Sequence, residues 1–328
     1  MRIGLALPQY DVSIAGENPL TFETVVEWAS AAERLGLDSV WLSDHLQWDL
    51  AKYGGTAESS GLFEPIVTLG ALAQHTERVR LGTLVLLEAL RPPAVLAKSL
   101  ASLDRLSHGR LDVGLGAGWY APDYEAIGMT LPSPGTRIAR LGEYLQIVTG
   151  LLAGESVTFA GEHHSVNGAA LLPPPLQTPR PPVWVGGRGD RLLGLVARSA
   201  DGWNTCWAIT PDVYEERLAV LATACDRCGR DPASVRRSLG LYTLVGETET
   251  DLEHRFDRLV TRSPNGVLDG QTLASFRQGR LVGTVQEVRE MVDQWESLGV
   301  EEIICGVGAV PFQASGLDDL EMIATALR

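Results

Sequence analysis

Ser39-Val40-Trp41-Leu42-Ser43-Asp44-His45 is the stretch on which the fold turns. Four residues of strand character stop abruptly at a serine, an acid and a histidine. The same pattern returns downstream. An apolar run over 111–115 ends in Gly114-Leu115-Gly116-Ala117-Gly118-Trp119, and Val183-Trp184-Val185 ends in Gly186-Gly187-Arg188-Gly189-Asp190. Further strands are expected over 3–7, 79–87, 202–206, 238–245 and 302–306. Helical periods separate them, over 21–36, 65–75, 93–106, 136–152, 191–200, 211–228, 250–261, 284–298 and 317–327, and a hairpin is expected over 156–167. Eight strands alternating with helices predict a parallel sheet of the α/β class. The expected architecture is a single (β/α)8 TIM-like barrel with insertions, spanning 1–328. The rival is an open doubly wound sheet, but no G-x-G-x-x-G follows the first strand. Polar and glycine-rich tails after several strands instead suit loops that share one mouth. The proline-rich stretch 173–182 reads as a connector into the fifth strand rather than a domain linker.

Composition narrows the classes. The chain has 328 residues, 45% hydrophobic and 21% charged, and a net charge of −14 from 27 basic and 41 acidic side chains. Nucleic-acid tracking and attachment to anionic lipid both need a basic footprint, so neither partner is expected. A local anion site remains possible where amides and an arginine override the overall field. Residues 1–8 are too short and too early for a signal h-region, and no apolar run reaches the ~20 residues of a membrane helix. Four cysteines (206, 225, 228, 305) are too few for a disulfide scaffold. A cytoplasmic protein that meets neither membrane nor nucleic acid is expected.

The chemistry sits at the strand ends. Asp44 and His45 follow strand two, at the face where barrels place their active sites, and such a pair can shuttle a proton or stabilise an anion. An Asp-His dipeptide also caps helices. Glycines 114, 116 and 118 let the backbone approach something planar or anionic, or merely form a tight turn. Trp119 opens a polar-aromatic loop over 120–124, either a lid or a loop packed on itself. Gly186-Gly187-Arg188-Gly189 opens a helix, so free amides and a forked donor make Arg188 the phosphate candidate. Cys225-x-x-Cys228 lacks a second pair, and no metal site is expected. His163 and His164 read as solvated. No esterase elbow and no Walker sequence occurs.

Taken in order, these segments resemble the bacterial luciferase-like monooxygenase superfamily, and within it the actinobacterial F420-dependent oxidoreductases. The likeness covers nearly the whole chain. Its carriers are Gly36-Leu37-Asp38-Ser39-Val40-Trp41 with Ser43-Asp44-His45, Val79-Arg80-Leu81-Gly82-Thr83 and Arg105-Leu106-Ser107-His108-Gly109-Arg110-Leu111. Gly114 to Trp119, Pro181-Pro182-Val183-Trp184-Val185-Gly186-Gly187 and Ala200-Asp201-Gly202-Trp203-Asn204 complete them.

The resemblance implies an enzyme that binds F420, or alternatively reduced FMN, at the carboxyl mouth of a homodimer. It implies Asp44 and His45 beside the reactive ring, with Asp44 orienting His45. Leu84 and Val85 would form a strand-three bulge against the ring, often through a non-prolyl cis bond. Ala117 and Gly118 would line the groove, and Gly186, Gly187, Arg188 and Gly189 would hold the phosphate. Trp48 and Trp119 would wall the small-molecule substrate, with Asp123 a candidate proton donor. The family's sugar-phosphate dehydrogenases carry a carboxylate where Trp119 stands, and Lys52 and Lys98 do not match their lysines, which argues against a glucose 6-phosphate substrate. The expected reaction is hydride transfer between F420 and a small organic molecule. The alternatives are an FMNH2-dependent monooxygenase and, further off, a non-catalytic flavin-binding barrel. Loops 47–61, 119–134 and 262–283 are expected to carry specificity.

Overall fold

Short apolar runs of the kind just described become the strands β1 (Arg2–Ala6), β2 (Ser39–Leu42), β3 (Arg80–Thr83), β4 (Leu86–Leu87), β5 (Leu111–Gly116), β6 (Val157–Ala160), β7 (Ser165–Ala169), β8 (Val183–Gly186), β9 (Gly202–Trp207), β10 (Arg236–Gly246), β11 (Leu281–Thr284) and β12 (Glu302–Gly306) in a computed structural model. It describes residues 1–56 and 58–327, so residue 57 of the expected specificity loop and residue 328 lie outside the description. Neighbours run parallel in the order β10-β12-β1-β2-β3-β5-β8-β9, and β9 pairs back onto β10. That pairing closes an eight-stranded barrel, the (β/α)8 architecture. Helices lie against its outside through one apolar face. The helix Phe22–Arg34 buries Val25, Trp28, Ala29, Ala31 and Ala32 and leaves polar residues outward. β6 and β7 form the expected antiparallel hairpin off the barrel.

Three departures from expectation bear on the site. The single strand expected over 79–87 is two. β3 pairs with the start of β5 at Leu81–Leu111, β4 rejoins it at Leu86–Leu115, and the Leu84–Val85 peptide between them is cis. The Thr83 hydroxyl accepts from the Gly114 amide (2.8 Å) and donates to the Gly114 carbonyl (3.0 Å), so a side chain stands in for the missing ladder bonds. Next, the segment expected to be loop over 262–283 contains the helical turn Leu273–Phe276 and β11, which pairs with β10 at Thr243–Gly246 where β10 runs past the barrel. Last, residues 120–124, expected as a loop, begin the short helix Ala121–Ala126, which turns Asp123 and Tyr124 inward.

The amino-terminal end of the barrel is a closed floor. Glu302 is buried and accepts from Arg2 Nη2 (2.6 Å) and from the Ser39 hydroxyl. Asp112 accepts from Arg80 Nε (2.5 Å) and from Trp184 Nε1 (3.2 Å). Above this polar layer the indoles of Trp41 and Trp184 lie where side chains on Gly82 and Gly202 would stand. Only glycine fits under them. The opposite end is open.

Candidate active site

The strand ends converge there on a cavity of about 790 Å³, within the range of small-molecule sites. All thirteen site residues singled out from the sequence line it: Asp44, His45, Trp48, Leu84, Val85, Ala117, Gly118, Trp119, Asp123, Gly186, Gly187, Arg188 and Gly189. Their assembly at one mouth follows from the barrel. Several of their individual roles are rearranged by the contacts they make.

Asp44 does not orient His45. Its buried carboxylate receives both Arg91 guanidinium nitrogens (2.7 and 3.0 Å) and the Leu87 amide (2.9 Å). It thereby ties β2 to the chain just beyond the break. Burial pushes the Arg91 pKa down, but the Asp44 and Glu64 carboxylates more than offset this and hold it above the usual range. His45 finds its partner 78 residues away: Nδ1 lies 2.6 Å from Asp123 Oδ2, while Asp123 Oδ1 accepts the Leu46 amide (2.9 Å). The Asp123 side chain is 1% exposed, with one oxygen at His45 Nδ1 and the other at the Leu46 amide. In the tautomer that donates from Nδ1 to Asp123, Nε2 is left for chemistry.

Around His45 the walls are aromatic. Trp48 lies 4.6 Å from the His45 ring and stacks on Tyr10 (5.6 Å, 20°). Trp119 meets both His45 (6.2 Å) and Trp48 (5.8 Å) nearly edge-on. Tyr10 bonds to Ser43 through its hydroxyl, and burial raises its pKa strongly, so the phenol stays neutral. Trp207 and Phe312 close the far side, 5.5 Å apart. The Cys206 thiol at this wall is pushed up to about 12 by burial, against the pull of Arg188 and Lys52.

The glycines divide into two groups. A Cβ on Gly116 or Gly186 would lie 2.5 or 2.8 Å from a methyl of Val85, whereas one on Gly114 would lie 1.9 Å from the Thr83 carbonyl oxygen before it met Val85. Gly116 and Gly186 therefore make a socket for Val85, and Gly114 lets the Thr83 backbone approach. Gly118 differs: it takes a left-handed φ of 71°, and a Cβ there would run into Leu87 and Tyr124. The Gly187 amide, expected at the phosphate, is spent on the Asn204 carbonyl (3.0 Å). Gly189 does open the helix Asp190–Ser199, with no side-chain cap and the first bond from Leu193 to Gly189 (3.0 Å). The first-turn amides thus lack intrahelical partners. Arg188 and Arg191 flank that helix start in the cavity lining, while Arg137, also in the lining, donates to the Pro132 and Gly118 carbonyls. Uncapped amides with the Arg188 and Arg191 guanidiniums fit a phosphate, and the apolar Leu84 and Val85, in the same lining as His45, fit a planar ring.

Sequence reasoning missed Arg91, Tyr10, Lys52, Tyr53 and Cys206. Tyr10 and Cys206 stand at or just past the ends of strands one and six, so the strand-end rule applied to every strand would have found them. His164, expected in solvent, is 10% exposed and sits 3.5 Å from the buried Glu88, which Arg140 Nε also reaches (2.9 Å). Among the described residues no group of three or more His, Cys, Asp or Glu side chains is placed to hold a metal, and no helix is long and apolar enough to cross a membrane.

The model of the luciferase-like monooxygenase family matches residues 1–302, and the chain belongs to that family. It is 35% identical over 218 residues to an F420-dependent glucose-6-phosphate dehydrogenase of Kineococcus radiotolerans; the match covers 66% of this chain and 62% of that enzyme, so it spans less than two thirds of the relative's length. Among solved structures, the monooxygenase RslO1 from Streptomyces bottropensis superposes with a TM-score of 0.78 at 24% identity, covering all of this chain and 98% of that one. An F420-dependent secondary alcohol dehydrogenase holding an F420-acetone adduct gives 0.78 at 20% identity, covering all of this chain and 99% of that one. At such identities these two likenesses concern the fold.

Proposed function

We propose that this chain is an F420-dependent oxidoreductase that transfers a hydride between the deazaflavin and a small organic substrate. The observation that carries the reading is what one cavity brings together: an oriented imidazole, the apolar Leu84 and Val85, and an uncapped helix start flanked by Arg188 and Arg191. Similarity to the Kineococcus dehydrogenase supports the choice of F420.

When bound, the cofactor supplies a carbon that gives or accepts a hydride. Leu84 and Val85 buttress the ring, and Asp44 with Arg91 fixes the backbone that follows them. Ala117 and Gly118 line the groove. Arg188 and the first-turn amides after Gly189 hold the phosphate, with Gly186 and Gly187 shaping the turn. Trp48 and Trp119 wall the substrate and exclude water. His45 Nε2 passes the proton to or from the substrate oxygen while Asp123 holds the ring of His45 in place. We further propose one domain over 1–328, a homodimer and a cytoplasmic location; four free cysteines suit a reducing compartment.

Titration of the purified chain with F420 and with FMN tests the cofactor. Tight one-to-one quenching of F420 fluorescence with FMN ignored is expected. Oxygen uptake on mixing with reduced FMN and a substrate marks the monooxygenase alternative, and binding of neither cofactor overturns both.

A further inference from the structure

The wall of the cavity carries an exposed lysine with no acid to answer it. Lys52 stands on the rim, with Nζ 3.9 Å from the Trp119 ring centroid and 5.7 Å from that of Tyr53. Among the described residues no carboxylate lies within ion-pair distance of it. The other lining charges behave differently. Asp44 is matched by Arg91, and Asp123 by His45. Arg188 and Arg191 flank the start of the helix Asp190–Ser199, and Arg137 donates to the Gly118 and Pro132 carbonyls. Partial burial holds the Lys52 ammonium below the usual lysine range, with Cys206 acting the other way and the Arg188 charge adding a smaller push down. An anion arriving beside Lys52 meets a positive field in a protein whose overall charge is −14.

We infer that the substrate bears a carboxylate on a flat apolar frame, and that Lys52 receives this carboxylate while Trp119, Trp48 and Tyr53 cover the frame. This rests on the oxidoreductase reading above and adds the substrate class to it. Trp119 touches both Lys52 and His45 (6.2 Å). A molecule pinned at Lys52 and laid along Trp119 therefore places its other end at His45. A single ammonium matches a monoanion; a phosphate dianion recruits several donors and a helix start, which Arg188 and the amides after Gly189 supply. An exposed lysine-acid pair is weak in water. Here the ligand itself covers the pair and the tryptophan face supports the ammonium, so the contact strengthens on binding.

Benzoate and benzamide form a matched pair of probes, equal in shape and different in charge. Both are titrated into F420-saturated and cofactor-free protein, followed by tryptophan fluorescence, in wild type, Lys52→Met and Lys52→Arg. Benzoate is expected to bind about tenfold tighter than benzamide to the wild type. Lys52→Met is expected to erase that preference, Lys52→Arg to restore most of it, and the F420 affinity of Lys52→Met to stay within about twofold. Equal binding of the two probes overturns the inference, as does an undiminished benzoate preference in Lys52→Met. A loss of F420 affinity equal to the loss of benzoate affinity also overturns it, since Lys52 then belongs to the cofactor. Failure of F420 to bind at all defeats the oxidoreductase reading alone, because the cofactor-free arm still reads the carboxylate.

Discussion

The two ends of this barrel use the same strands and nearly the same residue types, and treat charge in opposite ways. At the floor two buried carboxylates are each answered by an arginine. Glu302 meets Arg2 and Asp112 meets Arg80, with Ser39 and the Trp184 indole filling the remaining sites. At the mouth, Lys52, Arg188 and Arg191 face a cavity with no ion-pair partner within the described residues. The lesson is that burial with complete pairing marks structure, while cations left over beside an apolar ledge mark a place for a ligand. Asp44 shows that position alone does not decide. It stands at the mouth yet is paired as fully as any floor residue, and its work is to hold the backbone.

Substitutions separate the two ends. The largest effect is expected from His45→Ala, which should lower kcat by roughly 10²–10⁴ while F420 affinity and melting temperature change little; an unchanged kcat breaks the division. At the floor, Arg80→Met strands the buried Asp112 and should reduce unfolding free energy by about 3–5 kcal/mol in denaturant titration, with kcat per folded molecule preserved. Gly116→Ala pushes a methyl into Val85 and should weaken F420 binding with a modest stability loss of about 1–3 kcal/mol. A variant that binds F420 normally would show that the bulge does not set the ring's seat.

The smallest effect concerns pH. Burial raises the Glu88 pKa, but hydrogen bonds and charge from His164 and Arg140 outweigh it, and the net direction is downward from 4.5. A depressed acid contributes stability above its unfolded value that is lost as pH falls through the folded one. Melting temperature should therefore fall as pH drops below about 4.5, and Arg140→Met should flatten that dependence, a difference of roughly 1 kcal/mol readable by calorimetry.

Much of this was legible in the sequence, for a geometric reason. Strand ends in a closed parallel barrel must meet, so any polar residue directly after an apolar run is already placed. What lay beyond reach was pairing across distance. The partner of His45 arrives on a helix too short to show a period, Ala121–Ala126, and that of Asp44 follows a strand whose interruption is made by the Thr83 side chain. An apolar run such as 79–87 looks continuous because hydrophobicity does not register a hydroxyl replacing the ladder. The glycines misled similarly: spacing showed that something came close, and only coordinates identify it as Val85.

A crystal structure of the chain with F420 bound tests the central claim most directly. The deazaflavin should lie along Leu84 and Val85 with His45 Nε2 facing the substrate space, and the phosphate should sit within hydrogen-bond distance of Arg188 and the amides that follow Gly189. Electron density for the ring elsewhere, or a phosphate away from the Asp190–Ser199 helix start, would contradict the account.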